Sequence, residues 1–115
     1  MEETVSILYR DGELLVTLQG ELDHHAARAL CPRIDSALYQ YKRPQLVLEL
    51  SQVKFMDSAG LGLILGRHAK VSALGGSLKL RNPSPGAEKL LMLAGMREKI
   101  ETEQTATAAH TKKEG

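Results

Sequence analysis

The chain has 115 residues and a formal net charge of +1, with 15 basic and 14 acidic side chains. That length makes one domain with a real core, and the scattered basic residues exclude the electrostatic footprint of a nucleic-acid or anionic-membrane binder. No apolar run approaches the roughly 20 residues of a membrane span. The opening Met1-Glu2-Glu3-Thr4 is acidic and polar, the wrong chemistry for a signal peptide, and one cysteine cannot close an internal disulfide, so the chain reads as cytoplasmic.

Val5 to Tyr9 reads as a strand, Asp11-Gly12 as a hairpin turn and Leu14 to Gln19 as the returning strand. Gly20-Glu21-Leu22-Asp23 is expected to leave the sheet, with Asp23 capping a helix that runs to about Tyr41. Ala27, Leu30, Ile34, Leu38 and Tyr41 give that helix its buried face, and Pro32 should kink it or mark a later start. Lys42-Arg43-Pro44 ends it, and a third strand follows at Leu46 to Leu50. A short polar turn leads to a second helical pattern that reaches Ala73, with Gly75-Gly76 as its C-cap.

Ser77 to Leu80 is a fourth strand. Asn82-Pro83-Ser84-Pro85 then starts a helix over Ala87 to Ala94, stopped by Gly95, and Arg97 to Glu101 reads as a last short strand. From Thr102 to Gly115 only alanines are apolar, so this tail makes at most one frayed helix. The ordered core of a single domain 1–115 is expected over about 4–101. The order ββαβαβαβ, with an optional final helix, predicts an α/β fold: a mixed sheet with helices packed on it.

The segment Phe55-Met56-Asp57-Ser58-Ala59-Gly60-Leu61-Gly62 carries the most information. Strand, turn and helix in that order put Ser58 at or beside a helix N-cap, where the first amides lack intrahelical partners and the dipole is positive. A phosphate on Ser58 would find free donors there, and the hydroxyl is at a corner that another protein can reach. Ser58 therefore reads as a regulatory phosphorylation site. On the Asp-Ser pair alone, simple capping is the commoner role. Glycine changes the balance: Gly60, Gly62 and Gly66 each cost roughly 1 kcal/mol relative to alanine in a helix, which suits close approach by another backbone. On a helical wheel Leu61, Ile64, Leu65, His68 and Val71 share the face expected to pack on the sheet. Ala59, Gly62, Leu63, Gly66 and Lys70 form the opposite stripe, smooth enough for a partner surface. Internal packing of the glycines against a neighbouring loop is the competing explanation.

Other chemistry fits less well. Met56-Asp57-Ser58-Ala59-Gly60 lacks the first glycine of the Gly-x-Ser-x-Gly nucleophile elbow, and His68 is ten residues along the same helix, about 15 Å away. His24 and His25 can fold back toward Ser58, which keeps a small serine hydrolase as the alternative. Adjacent His24 and His25 do not converge on a metal, and Cys31 has no spaced partner, so no metal is expected. Gly60 to Arg67 lacks the Gly-Lys-Ser/Thr ending of a P-loop, and no cofactor is expected. A receiver-type phosphoacceptor at Asp57 would need further carboxylates that the first strand does not supply.

Gly20-Glu21-Leu22-Asp23-His24-His25, taken with the Phe55–Gly62 segment, resembles the anti-sigma factor antagonists of the STAS-domain family, and among them the sporulation members. The likeness runs from the first hairpin to about Ile100 and includes Ile64-Leu65-Gly66-Arg67 and Gly75-Gly76. It implies a non-enzymatic partner switch in transcription regulation. The unphosphorylated protein binds an anti-sigma factor that is also a serine kinase and so frees a sporulation sigma factor. The kinase, which supplies the ATP, phosphorylates the serine matching Ser58 and ends the interaction, and a serine phosphatase resets it. Asp23 matches an aspartate that supports kinase recognition. A phosphate on Ser58 would lie beside Asp57 and Asp23, on a face with Ala59, Gly60, Gly62, Leu63 and Gly66 for close contact. A docked partner would have to bury that dianion, at a prohibitive cost.

Overall fold

A computed structural model of the chain describes residues 5–105. In β2 (Glu13–Leu22) the alternating Leu14, Val16 and Leu18 turn one face into the core, and β1 (Val5–Arg10) folds back on it antiparallel. The turn between them places both Asp11 (φ 56°) and Gly12 (φ 82°) in the left-handed region, as a two-residue hairpin of matching twist requires. From there the strands run parallel: β3 (Gln45–Met56) beside β2, β4 (Ser77–Arg81) beside β3 and β5 (Glu101–Glu103) beside β4. Every crossover steps the same way across the sheet. Right-handed crossovers then set α1 (His24–Leu38), α2 (Ser58–Ala73) and α3 (Pro85–Leu93) on one face. The core between the layers is aliphatic, with Leu18, Leu22, Leu30, Ile34, Leu48, Ile64 and Leu80 fully buried.

The predicted α/β architecture and element order ββαβαβαβ are those of the structure. Several boundaries differ. β2 stays in the sheet to Leu22 instead of leaving at Gly20, and β3 continues to Met56 instead of stopping at Leu50. The inward residues of β3 are Leu46, Leu48 and Leu50, then Val53 and Met56, so the period of two is lost after Leu50. The cause is in the ladder. Its register jumps from Thr17↔Glu49 to Gln19↔Gln52, and again from Gly20↔Val53 to Glu21↔Phe55. Each jump inserts one extra residue on β3, which is the signature of a bulge.

α1 starts at His24 and runs unbroken through Pro32, whose ring is exposed. The carbonyl left without an amide donor belongs to Arg28, itself at the surface, where water serves. Tyr41 lies beyond the helix but still packs on the core. α2 and α3 both close with Schellman turns: Gly75 (φ 78°) and Gly95 (φ 75°) follow the last helical turn, and the next amides donate to Val71 O at 2.7 Å and Leu91 O at 2.9 Å.

The last strand lies at Glu101–Glu103, later than the predicted Arg97–Glu101, because Lys99 and Ile100 amides close a turn on Met96 O. Buried Asn82 holds β5 in place. Its amide donates to Glu103 O at 2.7 Å, and its side chain donates to Glu49 and accepts from the Thr105 amide. The Arg81 guanidinium, 2.6 Å from Glu103, holds that carboxyl below the usual range. Thr102 is therefore strand, not tail, while the rest of the predicted tail from 106 onward lies outside the described residues. Among the described residues no helix is long and apolar enough to cross a membrane.

Candidate functional site

The site forms where β2 and β3 end level. Leu22 pairs with Met56, so the following residues, Asp23 and Asp57, stand on neighbouring parallel strands, about 5 Å apart by sheet spacing. The Asp57 amide donates to Leu22 O at 3.4 Å across this junction. Both aspartates have extended backbone and cap the helix that follows. Asp23 Oδ1 accepts from the Ala26 amide at 2.9 Å, and Asp57 Oδ1 accepts from the Ala59 and Gly60 amides at 2.8 and 3.2 Å. Two residues far apart in sequence thus share one pole of the molecule, with the positive ends of α1 and α2 side by side.

Capping belongs to Asp57, which leaves Ser58 as the first helical residue. Its side chain is exposed, and among the described residues its hydroxyl meets no hydrogen-bond partner. Among the described residues no side chain hydrogen-bonds the Ser58 hydroxyl, so the nucleophile–base pair of a serine hydrolase is not formed there. His24 occupies the matching first position of α1 and is exposed, and His68 is half-buried further along α2. Cys31 packs against the core. Among the described residues no group of three or more His, Cys, Asp or Glu could hold a metal ion.

The orientation of α2 corrects the wheel. Its buried residues are Gly60, Leu63, Ile64, Arg67 and Val71, so the inward face is turned by about a quarter of a turn from the predicted one. Leu63 is 1% exposed and cannot belong to an outward contact stripe. Leu61, Leu65 and His68 flank the buried seam instead of forming it.

Gly60 is likewise internal: a Cβ there would lie 2.5 Å from Leu22 O and 2.5 Å from Met56 Cγ. The absence of a side chain lets α2 press against the end of β2. Gly62 and Gly66, by contrast, would place a Cβ in open space, with nothing within 4 Å. The outward stripe is Ser58, Gly62, Ala69 and Ala73, with Ala59 and Gly66 half-buried at its side.

Arg67, which the wheel assigned to neither face, lies on the inward one, against the usual outward place of a charged residue. It is buried against Asp35 of α1, Nε to Oδ1 at 2.9 Å, and Lys70 approaches the other carboxylate oxygen at 3.9 Å. One residue of the 55–62 segment has no contact role in the sequence reading yet is exposed at the pole: Phe55, 53% exposed near the end of β3. Only the bulge register reveals that it faces outward.

A level pair of capped helices on a mixed five-stranded sheet of this order defines a small α/β fold. The chain belongs to the STAS-domain family, whose profile matches residues 4–109. It is similar to the anti-sigma F factor antagonist of Paenibacillus polymyxa, 34% identical over 84% of this chain and 82% of that one. Among solved structures it is similar to the anti-sigma factor antagonist SpoIIAA in its unphosphorylated form (30% identity, TM-score 0.75, 96% of each chain covered). It is also similar to the Bacillus cell fate determinant SpoIIAA in the phosphorylated form (29% identity, TM-score 0.71, 94% of this chain and 97% of that one).

Proposed function

We propose that this protein is a cytoplasmic anti-sigma factor antagonist switched by phosphorylation of Ser58. In its unphosphorylated form it binds an anti-sigma factor with serine kinase activity and frees a sporulation sigma factor. The kinase transfers phosphate from ATP to the Ser58 oxygen, and a serine phosphatase removes it. The observation that carries this reading is the Ser58 hydroxyl: exposed, without a hydrogen-bond partner among the described residues, and first in a helix whose cap is supplied by its neighbour Asp57. Names of similar proteins support the antagonist role, and one similar structure is of a phosphorylated form.

The physics of the switch follows from the pole. Phosphorylation adds about −1.5 to −2 charge beside Asp57 and Asp23. In the free protein, water and the helix dipole accommodate it. In a complex, Ser58 and Gly62 must lie under the partner, and burying an unpaired dianion there is prohibitive. Asp23, Asp57, Ala59, Gly62 and Gly66 form the contact surface around Ser58, with Asp23 aiding kinase recognition.

The test is incubation of the purified protein with the anti-sigma factor of the same organism and ATP, followed by phosphopeptide mapping and a binding measurement. Phosphate on Ser58 alone, with loss of binding on phosphorylation, is the expected outcome. Ser58→Ala should bind and resist phosphorylation. Phosphate on another residue, or equal binding by both forms, overturns the reading.

A further inference from the structure

The chain's single phenylalanine lies outside the core, with Phe55 53% exposed on β3. An aromatic side chain buries on the order of 150–250 Å² when packed, yet the fully buried cluster is built from Val, Leu and Ile alone. The backbone is arranged to withhold it. Val53 packs on the core, so in a regular strand residue 55 would face the same way. The second bulge adds one residue on β3 between the Gly20↔Val53 and Glu21↔Phe55 pairs, and Met56 takes the inward place. Bulges are rare in parallel pairs and concentrate beside functional sites, where they re-aim a side chain.

Phe55 precedes Ser58 by three residues, at most about 11 Å of chain. A standard protein interface covers about 800 Å² on each side, a patch roughly 16 Å in radius. Phe55 therefore falls within that radius of Ser58, at the same pole but on the sheet side that the helices leave open. Exposed Glu21 pairs with it across the ladder, and exposed Gln52 and Lys54 precede it on β3; an aromatic within a polar rim is the composition of an interface hot spot. The other large exposed apolar side chains, such as Met92 and Leu93 on α3, have no such link to Ser58.

We infer that Phe55 is the apolar anchor of the partner surface, inserting into an apolar pocket that the anti-sigma kinase presents beside Ser58. This rests on the phosphorylation-switch reading above. Affinity for the same organism's anti-sigma factor is measured for the parent, Phe55→Ala, Phe55→Leu and Leu93→Ala, with thermal midpoints recorded on the same samples. Phe55→Ala should bind at least tenfold more weakly while keeping the parent's midpoint within a few degrees. Phe55→Leu should recover most of the loss, and Leu93→Ala should bind like the parent. If the parent binds and Phe55→Ala loses less than tenfold, the anchor is overturned and the Ser58 switch stands. A large drop in the midpoint of Phe55→Ala, or an equal loss in Leu93→Ala, overturns it as well. A parent that does not bind overturns the reading beneath it.

Discussion

The starts of α1 and α2 are near copies. Asp23-His24-His25-Ala26 and Asp57-Ser58-Ala59-Gly60 follow strands that end level, and each aspartate accepts the amide three residues on. They part at that third helical position. α1 carries Ala26 there, whereas in α2 even a methyl group would meet Leu22 O and Met56 Cγ at 2.5 Å. Cap chemistry is therefore shared, and close packing is what distinguishes the helix that carries Ser58. Gly60 acts from inside by setting how near Ser58 stands to Asp23. The outward stripe runs from Ser58 to Gly62, which is only two residues past Gly60 yet faces solvent.

The sharpest way to break this contrast is Gly60→Ala. Helix propensity would gain about 1 kcal/mol, but the Leu22 contact is backbone and cannot swing aside. Overpacking of this kind costs about 1–3 kcal/mol, occasionally more, and the backbone contact puts this site at the upper end, so a net loss of up to about 2 kcal/mol is expected in denaturant unfolding. Ala26→Gly, the mirror change in α1, should lose under about 1 kcal/mol. Equal effects at the two positions would erase the distinction. Next in size are the caps. Asp57→Ala frees two amides and Asp23→Ala frees one, so losses of about 2 and about 1 kcal/mol are expected. A larger loss at Asp23 would show that the α1 cap holds more of the pole together than its single bond implies.

Most of the fold was legible, because alternating leucines in β2 and β4 and the glycine stops after α2 and α3 are local signals. The pairing of the two aspartates was also legible, since each ends a strand and opens a helix. What escaped was set by non-local partners. β3 hid its second half because two bulges, defined only against β2, destroy the alternation that announces a strand. α2 is apolar nearly all round between Leu61 and Leu65, so its sequence defines the buried direction weakly, and nothing local announces that Arg67 is buried. Its partner Asp35 is on another helix, and no periodicity within α2 can reveal that pair. Leu63 and Gly60 are misplaced for this reason, and the outward direction of Phe55 is set by the second bulge, which no local pattern announces.

The smallest effect has the opposite sign. Gly62 is exposed in the second turn of α2, and a Cβ there meets nothing within 4 Å. Alanine at this position relieves the backbone entropy of glycine without a clash, so Gly62→Ala should stabilise the protein by about 0.5–1 kcal/mol. A glycine retained where alanine would be more stable needs a reason outside the folded monomer. A partner backbone lying over the Ser58–Gly62 turn would supply one. Gly62→Ala should therefore raise the thermal midpoint by a few degrees and weaken anti-sigma factor binding in the same preparation. Gly60→Ala should lower the midpoint whatever happens to binding. If Gly62→Ala lowers the midpoint too, both glycines are structural, and the outward stripe of α2 shrinks to Ser58 itself.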